Sequence, residues 1–200
     1  MSQTHPAVGE GAAKQPRADS VRNRARVLAA ARQAFESEGI AVSVEAIARR
    51  AGVGVGTVYR HFPTKEALFE AIIMTSLEGF VEDARELADA DDPGTALYGY
   101  LARVINESET SMAIKDALSG TDFEADERAT ETLRELEVAV GRLLARAQAA
   151  GATRADVTIS EVFALVGGAC RASSGLGGTA VSPRRLVAVI CDGLRPPADR

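Results

Sequence analysis

Residues 52–68 read GVGVGTVYRHFPTKEAL, and this stretch decides which fold the chain can adopt. It places Gly52, Gly54 and Gly56 directly ahead of a tyrosine, an arginine, a histidine and a phenylalanine. Three kinds of site could use such a segment: a phosphate-binding loop, a metal site, or a turn that contacts DNA. The residues on either side of the segment separate these alternatives.

A phosphate loop and a metal site both lack their usual surroundings. A dinucleotide fingerprint follows a β-strand, whereas residues 43–51 have apolar positions at helical spacing, and the Gly-Lys-Ser/Thr of a Walker loop is absent. His61 has no cysteine or carboxylate cluster near it at ligand spacing, so we expect no metal. It also lacks the partners of a Ser-His-Asp or Cys-His site, so we expect no catalytic residues and no enzyme.

The composition is that of a globular chain whose charge is divided along its length. Of 200 residues, 46% are hydrophobic and 26% are charged, with a formal net charge of −5. Between residues 20 and 65, however, eight basic and three acidic residues make the balance positive, so only this part could lie on nucleic acid.

Cys170 and Cys191 are expected to be reduced thiols. Without a signal-like segment or an apolar run of membrane-spanning length, we expect a cytoplasmic protein with no membrane partner.

Apolar residues at helical spacing throughout the chain predict an all-α fold of about nine helices. Residues 1–18 are expected to be a disordered lead-in. The first helix should begin near Asp19 or Ser20 and end at Gly39, and the second should be capped by Ser43 and closed by Gly52. Further along, Thr64 should cap a long helix, with one helix starting at Pro93 and a separate short one over residues 110–118. We place a DNA-binding domain at residues 19–65, its helix-turn-helix motif at about 43–62, and a second helical domain at residues 66–200.

Two short helices joined by a glycine turn, with basic flanks, have the geometry of a helix-turn-helix motif. Gly54 and Gly56 each cost roughly 1 kcal/mol of helix stability relative to alanine. Close approach of the helix N-terminus to a DNA backbone is a sufficient reason for both. Several side chains here can donate a hydrogen bond to a phosphate oxygen, which fixes register without reading sequence: Thr57, Tyr59, His61 and Lys65.

The stretch SVEAIARRAGVGVGTVYRHFPTKEAL, residues 43–68, resembles the DNA-binding signature of the tetracycline-repressor (TetR) family of bacterial transcriptional regulators. The elements that match at the family's spacing are Ile47-Ala48, Ala51-Gly52-Val53, Gly56-Thr57, Tyr59, His61-Phe62 and Lys65-Glu66-Ala67-Leu68. The resemblance implies a three-helix DNA-binding head, followed by a larger helical domain that binds a small-molecule effector and dimerises through its last two helices. It implies no cofactor.

Position by position, the resemblance implies phosphate contacts from Ser43, Tyr59, His61 and Lys65, and a phosphate or base contact from Thr57. It also implies a backbone or minor-groove contact from Arg22 or Arg24. The expected DNA-binding residues are Arg22, Arg24, Ser43, Val55, Gly56, Thr57, Tyr59, Arg60, His61 and Lys65. This chain departs from the family at Gly54, where a serine usually caps the recognition helix, and at Val55, where a polar or basic residue is frequent. Base readout is therefore left to Arg60 against a guanine edge and Val55 against a thymine methyl, with DNA shape or the second helix supplying much of the specificity.

Apolar residues of the second domain supply candidates for an effector site and a dimer surface. The effector candidates are Leu97, Tyr98, Leu101, Met112, Phe123 and Phe163, and the absence of charge among them favours an apolar effector. On the last two helices the apolar surface exceeds what a lone helix pair needs, which predicts a four-helix bundle between two copies. The residues expected in that interface are Val162, Leu165, Val166, Leu186, Val187, Val189 and Ile190.

These features together predict a transcriptional regulator that binds a palindromic operator in double-stranded DNA as a homodimer. We expect a repressor that is released by its effector through a shift between two dimer geometries. The alternative is a helical small-molecule-binding or scaffolding protein whose head does not read DNA specifically, an interpretation that Gly54 and Val55 leave open.

Overall fold

The structure, a computed structural model, describes residues 15–39, 41–118, 127–173 and 181–197. These residues form eight α-helices and no strand, which confirms the all-α prediction with one helix fewer than expected. The helices are α1 (Gln15–Glu38), α2 (Val44–Ala51), α3 (Val55–His61), α4 (Lys65–Leu87), α5 (Pro93–Leu118), α6 (Glu127–Ala149), α7 (Ile159–Ser173) and α8 (Pro183–Leu194). Within these ranges, no helix combines the length and the apolar character needed to cross a membrane.

The chain divides into two compact units between Thr64 and Lys65. The first unit contains α1 to α3 and the second contains α4 to α8. This division lies one residue before the domain boundary that we placed from the sequence. The DNA-binding and effector-binding roles assigned to the two parts remain predictions.

Two helices differ from the sequence-based expectation. α1 begins at Gln15, so residues 15–18 are helical rather than part of a lead-in, because a proline at position 16 is tolerated in the first turn of a helix. α5 continues without a break to Leu118, so the separate helix expected over residues 110–118 is its last part. Its polar residues 106–110 lower helix propensity but include no proline or glycine to end the helix. The remaining lead-in, residues 1–14, lies outside the described ranges.

In the first unit, α1, α2 and α3 all contact one another. The four residues predicted to face inward from α2 are its buried residues: Val44, Ile47, Ala48 and Ala51. The predicted cap is also confirmed, because the Ser43 hydroxyl accepts a hydrogen bond from the Ala46 amide at 3.2 Å. At the other end, Gly52 adopts the left-handed conformation (φ +64°), and its amide bonds back to the carbonyls of the last turn.

In the second unit, all five helices, α4 to α8, contribute to one apolar core. Its fully buried large side chains come from α5, α6, α7 and α8: Leu97, Leu101, Ile105, Leu143, Val162 and Leu194. The predicted capping box at the start of α7 is formed, since Glu161 accepts hydrogen bonds from both the amide and the hydroxyl of Thr158. The last helix begins at Pro183 after Ser182, as its sequence indicates.

Candidate nucleic-acid interface

The candidate interface is built around α3, a helix of seven residues that buries few of its own side chains. Val58 is its buried residue, and Phe62, which ends it, is also buried. Gly54 stands at its N-cap and makes no side-chain hydrogen bond there. Helices this short are marginal alone in water, so α3 depends on the helices packed against it.

The side chains that α3 turns outward are those that sequence analysis assigned to DNA. Tyr59 is 44% exposed, and Arg60 is exposed as well. Neither side chain makes a hydrogen bond or ion pair to any other residue that the structure describes. Val55, Thr57 and His61 are half-buried. One face of α3 therefore offers an aromatic hydroxyl and a guanidinium to an external partner, while Val58 holds the opposite face in the unit.

The two glycines of α3 differ in their local role. Gly54 is the N-cap, with an extended backbone (φ −69°, ψ 147°), where glycine is well tolerated, so the helix cost expected for it does not apply. Gly56 is inside the helix without a positive φ, and a Cβ added there would meet nothing within 4 Å among the described residues. Alanine would fit at position 56 and favour the helix, so packing within the unit does not explain this glycine.

Most of the basic residues in the first unit contact other residues of the same unit. Arg22 pairs with Asp19, Arg32 with Glu36 and Arg50 with Glu38. The guanidinium of Arg24 lies 5.2 Å from the centre of the Phe62 ring, and that of Arg26 donates to the Gly52 carbonyl at 3.3 Å. Arg49 and Arg60 make no such contact within the described ranges. The pairs at Arg22 and Arg50 are exposed, so a phosphate can compete with their carboxylate partners.

Two further DNA candidates lie at helix starts. Ser43 uses its hydroxyl oxygen to cap α2, which leaves the hydroxyl proton available to donate. Lys65 begins α4 and therefore belongs to the second unit, where its ammonium lies 5.5 Å from the centre of the Phe69 ring. The sequence placed both residues with the head, and their contacts to DNA remain predictions.

The effector candidates that the structure describes are not gathered on one open surface. Leu97 and Leu101 are fully buried in the core of the second unit. Tyr98 is half-buried, and its hydroxyl donates to the Ala152 carbonyl at 2.9 Å, which ties α5 to the connection between α6 and α7. Phe163 packs against the core, whereas Phe123 and the side chain of Met112 lie outside what the structure describes. The structure therefore gives Leu97, Leu101 and Tyr98 a packing role.

The candidate dimer residues separate into buried and exposed ones. Val162 is 2% exposed and Val166 is also buried, so both stabilise the unit itself and neither is open to a partner. Leu186, Val187 and Ile190 pack partly against the same core. By contrast, Leu165 on α7 and Val189 on α8 are 46% and 54% exposed, and both line a surface groove of about 480 Å³. The exposed apolar surface of this helix pair is thus narrower than the sequence suggested.

Arg26 is the residue of the candidate site that sequence analysis missed. It lies one helical turn before the buried Ala30 and so shares a face of α1 with the apolar row, although its own side chain is exposed. That position relative to the apolar row was the available signal. The contact itself could not be predicted from the sequence, because Arg26 bonds to a backbone carbonyl 26 positions away in the chain.

Comparison with known proteins places this geometry in a family. Residues 27–72 match the family described as bacterial regulatory proteins, tetR family, and residues 92–196 match the transcriptional regulator SbtR-like, C-terminal domain. A TetR transcription regulatory protein from Mycobacterium vanbaalenii, of known crystal structure, is 40% identical over 90% of this chain and 99% of its own, with a TM-score of 0.71. A TetR transcriptional regulator from Streptomyces coelicolor is 33% identical over 88% and 99%, with a TM-score of 0.70.

A curated relative, an HTH-type transcriptional regulator from Staphylococcus aureus, is 35% identical over 74 residues. That match covers 36% of this chain and 40% of the relative, so the chain spans less than half the length of the curated protein it matches.

The three helices of the first unit, with the glycine turn between α2 and α3, define a helix-turn-helix protein, a class that binds DNA. The chain belongs to the TetR family of transcriptional regulators, as the resemblance of residues 43–68 implied. Both matched descriptions name regulatory proteins, and that of residues 92–196 names a regulator of transcription. Among the described residues, no group of three or more His, Cys, Asp or Glu side chains could hold a metal ion.

Proposed function

We propose that this protein is a repressor that binds a palindromic operator as a homodimer and is released by a small apolar molecule bound in the second unit. The operator is double-stranded DNA in the cytoplasm, and α3 enters its major groove. Tyr59, Thr57, His61 and Lys65 bond to phosphates, and Arg60 and Val55 meet base edges.

Gly56 is the observation that carries this proposal. It lies in a helix of seven residues, has open space where a Cβ would stand, and has no backbone conformation that requires glycine. A glycine here lowers helix stability by up to about 1 kcal/mol relative to alanine. Close approach of a DNA backbone to this part of α3 offsets that loss, because a methyl group would then meet the phosphate.

The test separates folding from binding by changing Gly56→Ala. We expect the free energy of unfolding to stay level or rise by up to about 1 kcal/mol, since alanine favours the helix. Affinity for DNA from upstream of the protein's own gene should fall by about tenfold, measured by fluorescence anisotropy at fixed salt. Gly99→Ala is the matched control, because Gly99 also lies in a helix with nothing near its Cβ position, but in the second unit. Equal DNA affinity in the Gly56→Ala variant and the control would contradict the proposal.

Tyr59→Phe and Lys65→Ala test the phosphate contacts. Each variant should bind more weakly than wild type at every operator sequence, and Lys65→Ala should lower the slope of log affinity against log salt by about one. If both variants bound DNA as tightly as wild type at all salt concentrations, the phosphate contacts assigned to Tyr59 and Lys65 would be wrong. A ratio of specific to non-specific affinity near one would favour the alternative of a scaffolding or small-molecule-binding protein.

We place the dimer interface on α7 and α8. Leu165 and Val189 leave about half of their side chains exposed along one groove, and burying such apolar surface against a second copy removes it from water. A two-fold dimer would bring the same groove of each copy together, as a self-complementary interface requires. Two heads held in this way match the two half-sites of a palindrome.

A further inference from the structure

The short helix α3 has few internal supports, so something else must set where it lies. Within α3 only Val58 is buried, and the helix lacks a side-chain N-cap. Its seven residues and Gly56 make it marginal as an isolated helix. Two arginines of α1 contact the residues that bound the turn and helix, one at each end.

Arg26 contacts the first of these ends. Its guanidinium donates to the carbonyl of Gly52, the residue that closes α2 and begins the turn. A Cβ added at position 52 would lie 2.6 Å from Nη2 of Arg26, so the guanidinium lies directly against this backbone. Since the carbonyls at a helix C-terminus carry partial negative charge, a cation there is stabilising. The contact restrains the residue from which the chain turns into α3.

Arg24 contacts the second end. Its guanidinium carbon lies 5.2 Å from the centre of the Phe62 ring, and Phe62 is the residue that ends α3. A guanidinium at this distance from an aromatic face is attracted by the ring's quadrupole. The Phe62 amide also bonds to the Val58 carbonyl at 2.8 Å, so holding Phe62 restrains the last turn of α3.

We propose that Arg24 and Arg26 are positioning residues that hold the turn and α3 by their two ends, and so set the geometry in which α3 meets DNA. The second half of this statement rests on the proposed function, whereas the first half concerns the free protein. Arg24 thereby acts through Phe62 and not through a contact to the DNA backbone or minor groove.

The first experiment needs no DNA. In the full-length protein, backbone amide exchange is measured by NMR for Arg26→Met and Arg24→Met, with Arg32→Met as the control. Arg32 lies on the same helix and forms an ion pair with Glu36 of that helix, and its substitution removes the same charge. We expect exchange at Val53 and Val58 to rise about five- to tenfold in Arg26→Met, the effect of one lost hydrogen bond. In Arg24→Met the rise should appear at Phe62, and amides of the second unit serve as the internal reference.

The second experiment separates positioning from phosphate contact. A positioning residue lowers affinity for operator DNA by reducing the fraction of heads in the competent geometry, so the salt slope stays that of wild type. A residue that contacts a phosphate lowers the slope by about one when it is removed. We expect several-fold weaker binding with an unchanged slope for both variants. A slope lowered by one with wild-type amide exchange would overturn the proposal.

Equal rates of amide exchange in all three variants would overturn the proposal as well. Failure of wild type to bind any DNA specifically would refute the proposed function alone, because the exchange result does not depend on DNA.

Discussion

The carboxylate of Glu161 accepts two hydrogen bonds from Thr158, one from the backbone amide and one from the hydroxyl, each 2.8 Å long. These bonds satisfy donors at the start of α7, the helix that carries the exposed Leu165 of the candidate dimer surface. The hydrogen bonds from Thr158 keep the pKa of Glu161 below that of an ordinary glutamate, because they favour the charged carboxylate.

The first prediction is that this cap weakens in acid. A carboxyl whose pKa is lower in the folded state stabilises the protein above its unfolded-state pKa, about 4.3 for glutamate. That stabilisation is lost as the pH falls from there through the lower folded-state value. An NMR titration of the Glu161 side chain should therefore give a midpoint below the ordinary value, and Thr158→Ala should move it up. A Glu161 midpoint that is unchanged in Thr158→Ala would contradict the cap.

The second prediction concerns the glycine that closes α2. Gly39 and Gly52 both have positive φ, so replacing either with alanine should lower the free energy of unfolding by about 1 kcal/mol or slightly more. Gly52→Ala should cost more than Gly39→Ala, because its methyl group displaces the Arg26 guanidinium, while position 39 has open space. Denaturant unfolding measures both, and the excess should disappear when Arg26→Met is combined with each variant. Equal losses in the two single variants would show that the Arg26 contact contributes nothing.

The third prediction treats Tyr98 as a packing residue. Its hydroxyl bonds to the Ala152 carbonyl and lies 3.1 Å from Oγ1 of the buried Thr153. Tyr98→Phe should lower the free energy of unfolding by about 1 kcal/mol, since it leaves buried polar atoms without this partner. Tyr59→Phe is the matched control, because that hydroxyl makes no hydrogen bond within the described residues and its loss should leave stability unchanged. A Tyr98→Phe variant as stable as wild type would contradict this packing role.

The fourth prediction locates the dimer contact. Val189→Asp places a charge on the groove between α7 and α8 and should weaken self-association at least tenfold, measured by sedimentation equilibrium. Val138→Asp is the control, because Val138 on α6 is 60% exposed, close to the 54% of Val189, and lies away from that groove. Equal effects of the two substitutions would exclude α7 and α8 as the interface.

The fifth prediction is that the two cysteines react slowly. Cys170 and Cys191 are both buried, and burial raises the pKa of the Cys191 thiol, so little thiolate is present near neutral pH. Labelling by a disulfide reagent should be far slower in the native protein than in urea, and should speed up at Cys191 as the pH rises. Rapid labelling of either cysteine at neutral pH would support a redox role.

Local signals were sufficient for much of the fold and for the outline of the head. The inward face of α2, the Ser43 cap and the glycines that end α1 and α2 all depend on residues within one or two helical turns. The family was recognisable for the same reason, because its signature lies in one continuous stretch. The extent of α5 was harder to predict, since residues 106–110 have weak helix propensity but include no proline or glycine to end the helix.

The exposure of individual apolar side chains could not be predicted from the sequence with the same success. Val162 and Leu165 both fit an apolar row on α7, yet one is buried in the core and the other is open to solvent. The helical period fixes which residues share a face, but neighbouring helices decide how wide the covered part of that face is. For the same reason Leu97 and Leu101, expected at an effector site, lie in the packed core.

The sequence by itself determined that this chain is an all-α protein of the TetR family with a glycine-closed helix-turn-helix, because caps, turns and helical period are encoded by near neighbours. Only the tertiary structure decided which arginines of the head contact residues far away in the chain. Arg24 and Arg26 meet Phe62 and Gly52, partners far away in the chain that only packing of the three helices brings within reach. Such contacts depend on where helices lie in space, and no local pattern of residues carries that information.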